Sequence, residues 1–324
     1  MKLFKKLLNR LNGLQYSREY LCLAQESLQQ PLHAFLIDNG RVIKDITNLH
    51  FFVGYSPLIF AFSSSSGIRS EQQTINIVFS FRVFQPNGAF SQKDAIAMLD
   101  LKKIHQIAID EDLILFYEGV KGRHRFVSGF NQFIMQLYNR LYNQKQGNVF
   151  LRNNLYKQVQ IAYAIPRKIC LITVGSNRLY NHFPTDLHGG INNRYYIISL
   201  RYEGKACQQV EVSKRIALSD MQSGVFKKVY ALGKNHMQPL KEASAFDFDL
   251  YHSKNFNLPL PKNLISYKEL ELENSFIHGI HKLLLFKIVY QQKMNDNPST
   301  LAHIHNCYAT WRDRQGISSN YLLK

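Results

Sequence analysis

The chain has 324 residues, 45% of them hydrophobic and 19% charged, a globular composition that excludes a disordered protein and suits one large domain or two ordinary ones. Its formal charge of +17 is spread evenly, 19 Lys and Arg against 11 Asp and Glu in residues 1–160 and 21 against 12 in the rest, so it attracts anions without choosing among phosphorylated ligands, nucleic acid and acidic surfaces. The four cysteines, Cys22, Cys170, Cys207 and Cys307, form no CxxC pair, which argues against a disulfide framework or zinc cluster and fits a reducing cytoplasm, and no apolar run is long enough to span a bilayer.

In chain order, Leu3, Phe4, Leu7, Leu8, Leu11 and Leu14 share one helical face, with Lys2, Lys5, Lys6 and Arg10 on much of the rest. The pattern fits a helix packed on the body of the protein or, alternatively, a helix lying on a membrane surface. Pro31 to Asp38 is a short apolar run turning at Asn39-Gly40, a hairpin signal. Phe51 to Phe62 reads as buried strand and stops at four serines and Gly67. Thr74 to Phe84 alternates and is rich in β-branched and aromatic residues. Ser91 to Leu101 reads as a helix with Ser91 as N-cap and Asp94 in the first turn. Leu113 to Tyr117 is a strand, and Phe130 to Tyr142 carries apolar residues at helical spacing. Polar Asn143 to Asn148 marks the expected boundary between residues 1–148 and 149–324.

Beyond it, Arg167 to Val174 reads as strand, Asn181 to Gly190 as loop, and Tyr195 to Leu200 and Lys214 to Ser219 as strands. Ser223 looks like the N-cap of a short helix, Val225 to Leu232. Tyr267 to Leu272 and Leu283 to Val289 read as antiparallel strands around Gly279. Leu301, Ile304, Tyr308 and Trp311 form one face of a helix over Ser299 to Arg314, with Gly316 after its end. No internal repeat is legible.

No GxxxxGK[ST], GxGxxG, GxSxG or HExxH occurs, so a P-loop kinase, a Rossmann dehydrogenase and an α/β-hydrolase are poorly supported. His303, His305 and Cys307 would share a face on a strand and make a soft-metal site, but the helical spacing around them separates them, so no metal is expected. Gly119, Lys121, Gly122, Arg123, His124 and Arg125 read as a solvated hairpin tip, with phosphate binding as the alternative.

Three stretches carry a resemblance. One is Ile169 to Val174, then Asn181 to Gly190, then Tyr195 to Arg201. The next is Gly204-Lys205-Ala206 with a following strand and the helix Val225 to Leu232. The third is Ile265 to Leu272 leading to Gly279-Ile280-His281 and on to Val289. In this order, over about residues 163–290, the chain resembles the flavin-reductase-like family, whose fold is an FMN-binding split β-barrel. The resemblance implies that Asn181, Thr185, Asp186, Ser199, Arg201, Lys205, Ala206 and Gly279 surround the cofactor, and that His281 stands near flavin and nicotinamide. It also implies that the chain pairs as a homodimer. The loop Phe183 to His188 departs from the family's usual Asn-x-Met-Thr run, and residues 1–160 have no counterpart in the minimal family domain.

The residues themselves are compatible with FMN, a flat apolar ring on a doubly charged phosphate. Ser199, Arg201, Lys205 and Thr185 offer donors, although Arg201 also reads as a surface strand cation. Asp186 either accepts from the flavin or caps its turn, and His281 either positions a nicotinamide or is a turn histidine. The expected class is α+β, a split barrel in 149–324 with an α+β segment over 1–148 packed on it, either a degenerate second barrel or a cap. The expected activity is a cytoplasmic NAD(P)H:flavin reductase using FMN. The alternatives are a non-catalytic flavin-binding protein and a basic nucleic-acid-binding protein.

Overall fold

In the computed structural model, β1 (Tyr20–Gln25) precedes a hairpin of β2 (His33–Asp38) and β3 (Arg41–Asp45). Asn39 and Gly40 turn it at φ 47° and 73°, the left-handed pair a tight hairpin needs. The structure describes residues 13–16, 18–25, 32–142, 149, 151–296, 299–317 and 321–322. The N-terminal helix reading, apart from buried Leu14, and the boundary at 143–148 fall outside them. The chain divides into two compact units. The first is Met1–Leu21, Gln29–Pro166 and Ile304–Ser319; the second is Cys22–Leu28, Arg167–His303 and Asn320–Lys324. The division thus falls at Pro166/Arg167, and the C-terminal helix belongs to the first unit.

The first unit's sheet has the order β3-β2-β6-β7-β8-β5-β4 and is antiparallel throughout. The run read as one strand from Phe51 is two, β4 (His50–Tyr55) and β5 (Leu58–Phe62), broken where Ser56-Pro57 turns the chain. Every β5 residue is buried, which accounts for its uninterrupted apolar run. β6 (Thr74–Ser80) pairs with β7 (Ala95–Ile109), and β7 with β8 (Asp112–His124).

The helix expected over Ser91 to Leu101 is absent. Ser91 caps only a single turn, accepting from the Lys93 N–H at 3.4 Å, and Ala95, Ala97, Leu99 and Leu101 then point inward at every second residue of a strand. Alanine, leucine and methionine favour helices weakly, and two paired neighbours override that preference. Gly119 to His124 is likewise no hairpin tip but lies within β8, where Gln158 of α2 (Leu155–Ala162) packs on it. A Cβ on Gly119 would stand 2.0 Å from the Gln158 Oε1. α1 (Gly129–Tyr142) forms where helical spacing predicts it.

In the second unit β9 (Arg167–Lys168) is followed by an eight-stranded antiparallel sheet of order β12-β13-β19-β18-β14-β10-β11-β15. Its members are β10 (Cys170–Ser176), β11 (Leu179–Thr185), β12 (His188–Gly190), β13 (Tyr195–Arg201), β14 (Arg215–Met221), β15 (Lys241–Glu242), β18 (Leu264–His278) and β19 (His281–Lys293). β16 (Phe248–His252) and β17 (Pro259–Pro261) pair apart from it. The stretch Asn181 to Gly190 is therefore mostly strand, not loop. The residues after Gly204 form a helix, α3 (Lys205–Ser213), and the strand expected over Lys214 to Ser219 follows it as β14.

Both faces of this sheet are covered. Ile172, Val174, Ile198, Leu200, Ile216, Leu218, Leu284 and Phe286 pack with Ala206, Cys207 and Val210 of α3. Leu171, Ala217, Met221 and Tyr267, pointing the other way, pack with Leu258, Leu260 and Val229 of α4 (Phe226–Ala231). Each fully buried aliphatic or aromatic side chain contributes about 1.5–3 kcal/mol. Ser223 does not cap α4. It starts a turn of its own, and its hydroxyl pairs with Ser299 at 2.7 Å.

The single helix expected from Ser299 is instead β20 (Thr300–His305) followed by α5 (Asn306–Arg314). His305 Nδ1 accepts the Cys307 N–H at 3.0 Å and so caps α5. Among the described residues no group of three metal-ligating side chains exists, and no helix is long and apolar enough to cross a membrane.

Candidate functional site

β18 and β19 are joined by the two residues Gly279 and Ile280, with His278 opposite His281. Gly279 sits at φ 60°, the conformation a glycine adopts without cost. The turn delivers His281 to the first position of β19, where it pairs in register with Arg201, the last residue of β13. The Tyr202 N–H donates to the Ile280 carbonyl at 3.1 Å and seals the end of β13 to the turn.

Ser199 Oγ lies 3.1 Å from His281 Nδ1, both side chains buried. Burial, then the charge of Arg201 and that of His278, lower the His281 pKa to about 3, so the imidazole is neutral at physiological pH. Arg201 and Lys205 are exposed. The Gly204 N–H donates to the Arg201 carbonyl at 3.0 Å, and Gly204 then starts α3 with no side chain to cap it. The helix N-terminus therefore follows Arg201 by three residues, two features that favour an anion placed together.

His236, from the turn Leu232–Met237, joins this end of the sheet. Its Nε2 lies 2.8 Å from the Pro184 carbonyl. Its pKa is lowered by burial first and by Arg201 among the charges, with Asp186 opposing. Asp186 in turn holds His303 Nδ1 at 2.6 Å.

Ser199, Arg201, Gly279 and His281 thus meet, with Lys205 and Asp186 near them. Ala206 is buried in the core and offers only backbone. Thr185 is buried, its hydroxyl accepting the Leu187 N–H at 3.4 Å. Asn181 braces the scaffold, since its amide donates to Gln209 at 2.7 Å and to the Asn235 carbonyl at 3.0 Å, and its oxygen accepts the His182 N–H at 2.8 Å. His236 lies in a polar turn with no periodicity, and no sequence signal points to it.

A second polar cluster stands elsewhere in the unit. Lys168 holds Asp220 at 2.7 Å, and Ser266 and the Cys170 thiol donate to the same carboxylate. Burial works to raise the Asp220 pKa, but Lys168, the Ser266 hydroxyl and the charge of Lys268 outweigh it and hold it at about 2. In the first unit a cleft of about 550 Å³ is lined by Phe133, Leu137, Arg140, Leu151, Arg152 and Tyr156, among others.

No protein-family model and no curated protein sequence matches the chain. Among solved structures it is similar to the NADH:FAD oxidoreductase SgcE6 of Streptomyces globisporus C-1027, at 12% identity and a TM-score of 0.42 over 50% of this chain and 96% of that one. It is also similar to the flavin reductase PheA2, at 11% and 0.39 over 52% and 95%. A third is BorF, the flavin reductase component of a bacterial two-component tryptophan halogenase, at 10% and 0.42 over 52% and 98%. Likeness at this level assigns neither cofactor nor substrate.

Proposed function

We propose that the second unit binds FMN and that the protein is a flavin-dependent oxidoreductase of the NAD(P)H:flavin reductase kind, working as a homodimer. The observation that carries this is the register of Arg201 with His281 at the start of α3. It gathers a guanidinium, a helix N-terminus and a buried Ser–His pair at one sheet end. Such a set fits a phosphorylated, partly apolar ligand. Glycine suits position 204, since a Cβ would come 3.1 Å from the Arg201 carbonyl and 3.8 Å from the Met237 sulfur.

In this reading Arg201, Lys205 and the first N–H groups of α3 hold the phosphate. A bound flavin supplies the chemistry of accepting a hydride and passing electrons on. His281 is fully buried. It is therefore a positioning residue, orienting Ser199 and the β13 end through a neutral imidazole, and not a group that touches the nicotinamide. That same burial favours, as a second reading, a flavin-binding protein without reductase activity.

The purified protein is expected to show flavin absorbance and to bleach when NADH or NADPH is added without oxygen. Absorbance without bleaching selects the second reading. A colourless protein that takes up no added FMN removes both. Sedimentation of the loaded protein tests the dimer.

A further inference from the structure

The two sheets agree beyond their strand order. β7 and β8 have 15 and 13 residues, and so have β18 and β19. Each hairpin turns on two residues, the first at positive φ: Asp110 at 51° and Gly279 at 60°. Each carries two bulges, between Asp100/Leu101 and Lys103/His105 in one and between Glu269/Leu270 and Leu272/Asn274 in the other. One constant offset takes Ile109 to His278, Asp112 to His281 and each bulge of the first hairpin to its counterpart in the second.

The neighbouring strands follow. β6 and β14 both have seven residues, pair from Thr74↔Lys102 and Arg215↔Glu271, and shift register before the last pair, between Phe79/Ser80 and Asp220/Met221. The pairs Phe62↔Leu115 and Ala34↔Phe79 correspond to Ile198↔Leu284 and Cys170↔Asp220. Read from β3 and from β11, the two sheets run through the same seven positions, and β15 alone is added to the second. Bulges are designed irregularities, and their falling at matching steps is not produced by antiparallel pairing alone.

The copies differ where the proposed site lies. Counting along the matched strands, Ser199 corresponds to Ser63, Arg201 to Ser65, Gly279 to Asp110 and His281 to Asp112. The first unit has no helix at the place of α3, only the short turn Ser64–Ser66. Ser64 Oγ donates to the Asp112 carboxylate at 2.8 Å, Ser63 and Ser65 hydroxyls lie 2.6 Å apart, and Lys44 is tied to the Ser65 carbonyl. The guanidinium and the helix N-terminus are gone, and a carboxylate stands where the imidazole was. That change repels a phosphate.

We infer that the chain is a tandem of two copies of one β-fold, of which only the second keeps a site for a phosphorylated ligand, so that each chain takes one flavin. The inference rests on the reading of the second unit as a flavin site. The test is titration of the intact protein with FMN, followed by calorimetry and flavin fluorescence. The expected result is one FMN per chain. Arg201→Ala should weaken it about 10- to 100-fold, the range of a lost charge-assisted hydrogen bond. Asp112→Ala, once shown to fold and melt as the parent does, should leave affinity and stoichiometry unchanged. Two FMN per chain, or loss of affinity in Asp112→Ala, overturns the inference while leaving flavin binding intact. No uptake of FMN by the parent chain removes the flavin reading and the inference with it.

Discussion

Acid should loosen the second unit in a way that one substitution can isolate. His182 and His281 are both buried, His182 with Nδ1 3.0 Å from the Thr173 hydroxyl, and burial is the main cause lowering their pKa values, to about 4 and about 3. In the unfolded chain both return to about 6.5. The folded values lie below the unfolded ones, so the unfolded state takes up protons first. The stabilisation is complete above pH 6.5 and is lost as pH falls toward 4 and then 3. At pH 5 an unfolded histidine gains about 2 kcal/mol from protonation that the buried ring does not share, and the pair costs about 4 kcal/mol. That is a large part of the roughly 5–15 kcal/mol typical of a domain. The assay is urea unfolding by far-UV circular dichroism at pH 7 and pH 5, since the single tryptophan, Trp311, belongs to the first unit. His281→Asn should cut the pH-dependent loss by about 2 kcal/mol, whatever it does to absolute stability. An unchanged difference between pH 7 and pH 5 refutes the reasoning.

Three further outcomes follow from the same geometry. Gly279→Ala forces a Cβ into left-handed backbone and should cost about 1–2 kcal/mol in thermal melting, while Gly279→Asn should cost less, because asparagine visits that region as Asp110 does in the matching turn. Glu269 is fully buried and accepts the N–H groups of Asn255 at 2.9 Å and Phe256 at 2.7 Å, so Glu269→Ala should destabilise by about 2–5 kcal/mol and Glu269→Gln, which keeps one acceptor, by less, as read from urea midpoints. Ser199→Ala and His281→Ala should both retain bound FMN yet slow its anaerobic bleaching by NADH, and stopped-flow rates equal to the parent's would take the pair out of the mechanism.

The strands of the second unit were legible where composition and pairing agree. Tyr195 to Leu200 and Leu283 to Phe286 are apolar because both faces of the sheet are covered there, and Gly279 marks a turn that needs positive φ. Legibility failed where a segment satisfies two periods at once. Leu301, Ile304, Tyr308 and Trp311 keep helical spacing, yet Thr300 to His305 is strand because Ala302 and His303 pair with Lys168 and Arg167. Ala206, Cys207 and Val210 stand at helical spacing in α3, a run too short for periodicity to mark a helix between two strands.

The site shows the same limit more sharply. Ser199 and His281 lie 82 positions apart, and nothing local to either predicts that β13 and β19 are neighbours in the register that joins them. Asn181 is a reasonable donor by type, but whether an amide is free for a ligand depends on partners supplied by α3 and the Leu232–Met237 turn. The repeat was hidden for the opposite reason. Backbone register conserves the positions of bulges and turns, and it accepts any side chain that suits the local face, so Gly279 and Asp110 do one job with different residues. Where the copies diverge in chemistry at matched positions, the fold imposes no requirement. The exchange of Arg201 and His281 for Ser65 and Asp112 is therefore the place to look for function.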